Sequence, residues 1–547
     1  MHRVLLALLF ITSVVLAQSP RPRLAVLVSV DQLATWVINE VKAVLPAEGG
    51  FFRGAGTFGL EFTDCAFQHA GTYTGPGHAT VSTGGTPSQH GIILNNWFDR
   101  KTALAQNCCF DPGARGIGSP TAAPNVGPAQ LRGATLGDAM KAHFGAPSRV
   151  VSLSWKDRSA ILMGGRSADV AVWGDKASGS WISSTRFMQK LPAWLEEINA
   201  ARPFDKWHGR VWERVAPDAV YAGLVDDRVF EIATATGHRT LPRAVTGGLA
   251  EPGPLFYEEM YGTPFGNAAL MELVEAAISN EKLGQDEVPD LLCIGFSAND
   301  SCGHRYGPRS VEVRDMTIRT DRMLTALVAL LDARVGAGHW SMVVTSDHGI
   351  RPAPETVLQA GVDAGRGDLD LGAAMFANRA LQQKFGAPPD GLLRWVVGFD
   401  DTGLFLDYGA LAKAKVQVAD AIEVAVAGAS EAPGVLRALS VSAINAGAQG
   451  PEPWSSLVRA NLYPGRSGDV YVIHKPWWTN TTDATTHGSP HPQDREVPLW
   501  FIGAGPWTTG YVRSPVSPAL GVVMLAESLG IPRPPLASER IPDAARR

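Results

Sequence analysis

Five short apolar runs divide the chain, each rich in valine, isoleucine and leucine and without strict alternation of polar and apolar positions. Runs of this kind are typical of parallel β-strands that are covered on both faces. They are residues 24–30, 150–153, 291–296, 342–345 and 499–502. Residues 310–332 carry apolar side chains near helical spacing. The pattern predicts an α/β fold, a doubly wound and mostly parallel sheet sandwiched by helices.

Polar side chains follow three of these predicted strands. Asp31 ends the first run, Asp300 and His304 follow the third, and Asp347 and His348 follow the fourth. Sheets of this type bind ligands beyond the carboxyl ends of their strands. We therefore expect these residues to lie close together at one edge of the sheet, although they are far apart in sequence.

Two stretches between the predicted strands differ from the rest in composition. Residues 165–275 contain five tryptophans, and residues 355–470 are rich in alanine and glycine. We interpret both as insertions that cap the polar edge of the sheet. The α/β core then has three parts, residues 24–164, 276–354 and 471–547.

The first residues have the pattern of a secretory signal peptide. Arg3 precedes an apolar run at residues 4–16, and small residues lead up to Gln18. The prediction is a signal peptide at residues 1–17. The alternative is an uncleaved anchor, but the run is shorter than the roughly 20 residues that span a bilayer. We expect a mature chain that is periplasmic or secreted and has no membrane span.

The composition limits the classes of partner. Of the 547 residues, 45% are hydrophobic and 18% are charged, with a formal net charge of −5. Wholesale disorder is excluded, and no basic field exists that would hold nucleic acid by charge. An anionic small molecule would need a local site, which we expect to contain metal. The oligomeric state is left open.

The sequence contains an odd number of cysteines. They are Cys65, Cys108, Cys109, Cys293 and Cys302. In an exported protein at least one of the five stays unpaired, and Cys65 with Cys108 or Cys109 is the candidate bridge. Since the sequence has no C-x-x-C pair, a cysteine zinc cluster is not expected.

Three aspartates and three histidines form the candidate metal set. They are Asp31, Asp300, His304, Asp347, His348 and His487, with His491 as an alternative to His487. A single histidine more commonly has a structural role. A purely structural role is much harder to assign to all six residues together, because strands ordinarily have no reason to end in Asp-His. Oxygen and imidazole ligands in this number suit two zinc ions.

A candidate nucleophile precedes a Gly-Pro-Gly-His sequence. Thr74 begins Thr74-Gly75-Pro76-Gly77-His78, in which a tight turn would leave the hydroxyl exposed. A free hydroxyl is a poor nucleophile, but coordination to a divalent ion lowers its pKa. The alternative is a glycine-rich turn with a structural threonine.

From residue 74 to residue 95 the chain follows T-x-P-x-H, then T-G, then P-x-x-H-G-I and an asparagine. With the Asp and His motifs in order from Asp31 to His487, this resembles the alkaline phosphatase superfamily. Within it, the chain is similar to the two-zinc branch with a threonine nucleophile. That branch contains nucleotide pyrophosphatase/phosphodiesterases and phosphate-irrepressible alkaline phosphatases.

The resemblance implies a role for each motif residue. Thr74 attacks phosphorus, and its backbone amide with Asn95 holds a phosphoryl oxygen; Asn96 competes with Asn95 for this role. One zinc is held by Asp31, Asp347, His348 and Thr74. The other is held by Asp300, His304 and His487.

A further motif distinguishes monoester from diester hydrolysis. Ser154-Trp155-Lys156-Asp157-Arg158 looks like the S-x-K-x-R of the phosphate-irrepressible alkaline phosphatases, in which lysine and arginine contact the phosphoryl oxygens. Each fixed cation favours a dianionic monoester over a monoanionic diester. The sequence predicts an exported two-zinc alkaline phosphatase that hydrolyses small phosphate monoesters through a phosphothreonine intermediate. The alternatives are a phosphodiesterase or nucleotide pyrophosphatase with the same core, and a non-catalytic binding protein.

Overall fold

The computed structural model describes residues 21–46, 49–119, 124–389, 391, 394–448, 450 and 452–547. The predicted signal peptide, residues 1–17, lies outside these ranges. None of the helices within them has the length and apolarity needed to cross a membrane.

Strands and helices alternate along most of the chain. The strands are β1 (Leu24–Val30), β2 (Gly59–Phe62), β3 (Asn96–Asp99), β4 (Leu104–Asn107), β5 (Gly116–Ile117), β6 (Val150–Ser154), β7 (Val170–Asp175), β8 (Ser180–Ser184), β9 (Val211–Trp212), β10 (Arg243–Ala244), β11 (Asp290–Phe296), β12 (Trp340–Thr345), β13 (Gly365–Arg366), β14 (Val396–Asp400), β15 (Gly403–Leu406), β16 (Val435–Ser440), β17 (Val470–His474), β18 (Trp478–Thr479), β19 (Leu499–Gly503) and β20 (Gly510–Val512). The α-helices are α1 (Thr35–Lys42), α2 (Phe51–Phe58), α3 (Thr74–Thr83), α4 (Pro87–His90), α5 (Leu136–Phe144), α6 (Asp157–Gly164), α7 (Ala193–Ala200), α8 (Pro254–Tyr261), α9 (Pro264–Asn280), α10 (Ala298–Tyr306), α11 (Val311–Arg334), α12 (Pro354–Leu358), α13 (Leu369–Phe385), α14 (Tyr408–Lys413), α15 (Val418–Ser430), α16 (Val441–Asn445), α17 (Trp454–Arg459), α18 (Pro492–Arg495) and α19 (Leu520–Leu529).

Ten strands form one central sheet in the order β20-β2-β19-β12-β1-β11-β6-β7-β8-β5. The neighbouring strands β12, β1, β11, β6 and β7 are parallel. Alternate side chains of β1 enter two hydrophobic clusters, one packed with α1, α2, α9 and α11 and the other with α5 and α19. The predicted doubly wound, mostly parallel sheet between helices is confirmed, and the predicted helix at 310–332 is α11.

All five predicted strands are present, but the expectation that residues 499–502 form a parallel strand is wrong. They lie in β19, which is antiparallel to both β12 and β2. Leu499 at the start of β19 pairs with Thr345 at the end of β12, so the chain enters β19 from the edge at which the parallel strands end. The apolar pattern does not reveal this direction, because β19 is covered on both faces like its parallel neighbours.

The predicted insertions contain strands that their compositions did not indicate. Strands β7 and β8, within residues 165–275, extend the central sheet. Residues 355–470 supply most of a four-stranded sheet of order β14-β15-β17-β16, which α13 and α15 cover with an alanine-rich cluster. Since β17 continues to His474, this unit extends past residue 470. The division into core and caps stays a prediction.

The cysteine bridge considered from the sequence is wrong. All five cysteines are free and buried within the described ranges. Cys65 packs in the hydrophobic cluster beneath α19, whereas Cys108 and Cys109 lie in a different cluster beside α6. Each thiol therefore serves as a small apolar side chain in the core.

Candidate active site

Helix α3 presents Thr74 in its first turn, at the edge where the parallel strands end. Tyr73 before it is extended, and Thr74 is only 1% exposed. The helix packs closely on the residue after β12, since a Cβ at Gly77 would lie 2.0 Å from the backbone oxygen of Asp347. This contact requires glycine at position 77. As the first helical residue, Thr74 offers a backbone N–H that the helix itself does not use.

Asp31, Asp347 and His348 meet where β1 and β12 end. His348 Nε2 lies 3.3 Å from Asp31 Oδ1 and 3.3 Å from Asp347 Oδ2. Both oxygens are buried and find no hydrogen-bond partner among the described residues. His348 Nδ1 donates to the Gly349 carbonyl oxygen at 3.0 Å, which leaves the Nε2 lone pair facing the carboxylates. Thr74 Oγ1 is 3.4 Å from the same Nε2.

Asp300, His304 and His487 form a second group beside the first. Nε2 of His304 and Nε2 of His487 lie 3.2 and 3.5 Å from Asp300 Oδ1. Their Nδ1 atoms donate to the carbonyl oxygens of Thr485 and Thr72, at 2.9 and 2.8 Å. These bonds fix both rings with Nε2 directed at Asp300, the orientation that histidine metal ligands usually have.

Two overlapping sets of side chains have the spacing of a metal site. The candidate ligand atoms lie within 4.8 Å of one another in the set Asp300, His304 and His487, and again in the set Asp31, Asp300 and His348. The family resemblance assigned Asp300 to one group only, whereas its carboxylate is within reach of both. Asp347, predicted as a partner of Asp31 and His348, keeps its Oδ2 beside the His348 ring.

Lys156 follows β6 and places its ammonium group between the two sets. Nζ lies 2.6 Å from Asp31 Oδ2, 2.5 Å from Asp300 Oδ2 and 3.4 Å from Thr74 Oγ1. Burial lowers the pKa of Lys156, but the two carboxylates raise this pKa by more, so it lies above its usual value. Lys156 is therefore a permanent positive charge beside the Thr74 hydroxyl.

Arg158 is in the first turn of α6, with its guanidinium group on the wall of a cleft. Nη1 is 4.0 Å from Asp157 Oδ1, and the side chain is 26% exposed. Nε is buried and has no hydrogen-bond partner in the part of the chain that the structure describes. A guanidinium group with unused donors can bind an anion through two N–H groups.

Of the two candidate asparagines, the structure places Asn95 beside the start of helix α3. Asn95 Oδ1 accepts a hydrogen bond from the Gly75 N–H at 2.7 Å, so its amide nitrogen stays a donor. Asn96 is exposed, and its Oδ1 accepts from Asn107 across the β3–β4 hairpin.

Of the two candidate histidines near residue 490, the structure places His487 in a ligand set and His491 outside both sets. His491 Nε2 donates to the His474 carbonyl oxygen at 2.8 Å, and His491 belongs to neither ligand set. His487 is the one that joins Asp300 and His304.

A cleft of about 870 Å³ opens from this site, and its inner end is lined by Lys156, Arg158, Asp300 and His304. Its outer wall comes from the segments 173–177, 232–235 and 255–261. These segments lie within residues 165–275, the stretch predicted to cap the polar edge of the sheet. The cleft gives a small molecule access to Lys156 and Asp300.

Two buried residues that the sequence did not single out contact the predicted ligands. His78 Nδ1 donates to the Thr74 carbonyl oxygen at 2.8 Å and lies 3.2 Å from Asp347 Oδ2. Gln32 donates to both Asp300 and Asp347. His78 could have been noticed as the last residue of the Thr-Gly-Pro-Gly-His segment. Gln32 carried no signal beyond its place after Asp31.

Comparison with known proteins gives a family and several relatives. Residues 25–389 match the family model for type I phosphodiesterase / nucleotide pyrophosphatase. Alkaline phosphatase PhoV of Synechococcus elongatus is 30% identical over 519 residues, which are 92% of this chain and 90% of PhoV. Alkaline phosphatase PafA of Elizabethkingia meningoseptica is 30% identical, over 89% of this chain and 88% of PafA.

Solved structures of PafA also match the fold. Its wild-type crystal structure superimposes with a TM-score of 0.85 at 26% identity, over 96% of this chain and 99% of PafA. A second PafA structure with the same TM-score carries four substitutions, of a threonine, an asparagine, a lysine and an arginine in that order, the last two separated by one residue. This chain has the same residue types in the same order and with the same final spacing, at Thr74, Asn95, Lys156 and Arg158.

Proposed function

The chain belongs to the type I phosphodiesterase / nucleotide pyrophosphatase family, and we propose that it is an exported alkaline phosphatase acting on small phosphate monoesters. The two ligand sets would hold two zinc ions, and Thr74 carries the phosphoryl group transiently. The observation that carries the proposal is a pair of cations, Lys156 with its Nζ 3.4 Å from Thr74 Oγ1, and Arg158 on the wall of the same cleft as Lys156. Two fixed positive charges favour a dianionic monoester over a monoanionic diester. Export rests on the sequence of residues 1–17.

The relatives that support phosphatase activity align with most of the chain. PhoV and PafA, both named alkaline phosphatases, align with 92% and 89% of it. The four residue types that are substituted together in the PafA variant are those that we place around the phosphoryl group here. The family name itself includes phosphodiesterases, so it does not distinguish the two ester classes.

The two ligand sets fit zinc, which accepts carboxylate oxygen and imidazole nitrogen. Within the described residues, the unpartnered oxygens of Asp31 and Asp347 converge on His348 Nε2, and a cation would neutralise this buried negative charge. Bound zinc would lower the pKa of a coordinated hydroxyl group and stabilise charge on a leaving oxygen. One ion is assigned to Asp31, Asp347, His348 and Thr74. The other is assigned to Asp300, His304 and His487.

Thr74 provides the attacking oxygen. Its Oγ forms a bond to phosphorus while the bond from phosphorus to the ester oxygen breaks. The ester oxygen leaves with that electron pair and takes up a proton. Water then attacks the phosphothreonine, which releases inorganic phosphate and returns a proton to Thr74 Oγ.

Four groups of the chain are available to the phosphoryl oxygens during these steps. The Thr74 backbone N–H and the Asn95 amide nitrogen donate to one oxygen, as in other sites that stabilise a developing oxyanion. Lys156 and Arg158 contribute charge-assisted hydrogen bonds to the others. The leaving group would extend into the cleft beyond Arg158.

The proposal is tested by comparing two substrates with one leaving group, p-nitrophenyl phosphate and methyl p-nitrophenyl phosphate, on purified protein. We expect the higher kcat/KM for the monoester, because both cations would then contact charged oxygens. A higher value for the diester would replace the proposal with the phosphodiesterase alternative. If neither ester is hydrolysed, the result would favour a non-catalytic binding protein.

Zinc content gives an independent prediction. The ligand sets should hold about two zinc ions per chain. We expect this stoichiometry from elemental analysis of protein dialysed against trace zinc, and we expect reactivation of chelator-treated protein by zinc. The control is protein with both His304→Ala and His487→Ala, which removes two side chains that belong to one ligand set only and should leave about one ion. Undiminished turnover by rigorously metal-free protein would contradict the metal assignment.

A further inference from the structure

Gln32 has a backbone conformation that side chains rarely adopt. It directly follows Asp31, is 6% exposed, and has a φ of +67°. The left-handed region is unfavourable for residues with a Cβ, and glycine adopts it without this cost. Strained residues of this kind persist where the surrounding structure uses them.

The conformation lets one residue contact both candidate ligand sets. The Gln32 backbone N–H donates to Asp347 Oδ1 at 3.2 Å, and its side-chain Nε2 donates to Asp300 Oδ1 at 2.6 Å. The neighbouring chain makes room for the side chain, because a Cβ at Gly303 would lie 1.7 Å from Gln32 Oε1. Gln32 thus joins a carboxylate beside His348 to a carboxylate beside His304.

We propose that Gln32 is a positioning residue that orients one carboxylate of each zinc site; this rests on the proposed two-zinc function. On Asp347, the bond from Gln32 occupies Oδ1 and leaves Oδ2 facing His348. On Asp300, Gln32 binds Oδ1 while Lys156 binds Oδ2. Neither carboxylate can rotate without breaking its bond to Gln32. Outer hydrogen bonds of this kind commonly change metal affinity about tenfold to a hundredfold.

The two contacts come from different parts of Gln32, so they can be separated. Gln32→Gly removes the side-chain bond to Asp300 but keeps the backbone bond to Asp347, and it also relieves the unfavourable φ. We expect zinc affinity to fall about tenfold to a hundredfold at the site of Asp300, His304 and His487, and to stay unchanged at the other site. Gln32→Glu, which replaces the donor with an oxygen beside Asp300, should weaken the same site at least as much.

The measurement is zinc retained per chain across a series of competing-chelator concentrations. Wild type should lose its two ions over one range of chelator concentrations, while Gln32→Gly should lose one ion at a chelator concentration about tenfold to a hundredfold lower. Lys282→Gly is the matched control, because Lys282 is exposed, has a φ of +55° and lies after α9. It should retain zinc like wild type. The unfolding temperature of metal-free Gln32→Gly should stay within about 3 °C of wild type.

A double variant identifies which ion is affected. In a His304→Ala background, which already weakens the second site, Gln32→Gly should not reduce the affinity of the remaining ion. Wild-type retention of both ions by Gln32→Gly would overturn the inference, as would equal weakening of both. These outcomes differ from a failure of the proposed function, in which wild type itself would not hold two zinc ions.

Discussion

Replacing Thr74 with alanine should reduce kcat/KM for a phosphate monoester at least about a thousandfold, the scale seen when a catalytic nucleophile is removed. The hydroxyl lies 3.4 Å from both His348 Nε2 and Lys156 Nζ, and we expect no other residue to replace it. Thr74→Ser keeps a hydroxyl and should retain part of the activity. The measurement is kcat/KM for p-nitrophenyl phosphate, with zinc content determined on the same samples.

Thr72 is the matched control for this substitution. It is also buried and two residues earlier, but its Oγ1 donates to the Ser489 carbonyl oxygen at 2.8 Å. Thr72→Ala should therefore affect stability more than chemistry. An inactive Thr72→Ala together with an active Thr74→Ala would show that the nucleophile is misassigned. Acid-quenched wild type should carry a phosphoryl group on the peptide that contains Thr74, and Thr74→Ala should not.

The sequence predicted the middle of the sheet because its strands are buried on both faces and read as continuous apolar runs. It did not predict β2 or β20, which have only four and three residues and lie at the sheet's end. Strands β7 and β8 were assigned to the predicted cap because the tryptophans distinguished that stretch. Trp173 and Trp181 instead lie in β7 and β8, which pair with each other in the central sheet. Composition separates the chain into stretches, but strand pairing is decided by tertiary contacts.

The sequence predicts those parts of the candidate site whose residues come just after strands. Asp31, Asp347 and Lys156 each come just after a strand, so their convergence follows from the parallel sheet. Orientation could not be predicted in the same way. Asn95 rather than Asn96 faces Thr74 because a hairpin begins at Asn96 and turns that side chain outward.

The contacts of Gln32 could not be predicted from the sequence, for a related reason. A glutamine after an aspartate has no distinctive pattern, and its importance depends on a φ of +67° that only the folded backbone shows. The overlap of the two ligand sets at Asp300 is likewise a matter of distances between side chains from different strands. The sequence supplied the candidate residues, while the contacts among them required the structure.

Replacing Lys156 and Arg158 together with alanine should damage monoester hydrolysis far more than diester hydrolysis. A monoester presents charged oxygens to both cations, whereas esterification of a diester removes one charge and adds a substituent at that position. Losing two charge-assisted contacts costs about 3–6 kcal/mol. For the monoester this corresponds to a fall in kcat/KM of about a hundredfold to ten-thousandfold. The measurement is kcat/KM for both esters in wild type and in the double variant.

Lys176 supplies the control for removing positive charge from the cleft. It lines the same cleft, but its Nζ is paired with Glu258 Oε2 at 2.6 Å and its side chain is 41% exposed. Lys176→Ala should therefore leave the ratio of the two kcat/KM values unchanged. Zinc content of the double variant must also match wild type, because Lys156 contacts Asp31 and Asp300. If both esters lose the same factor while zinc is retained, the pair supports the fold of the site and does not select the monoester.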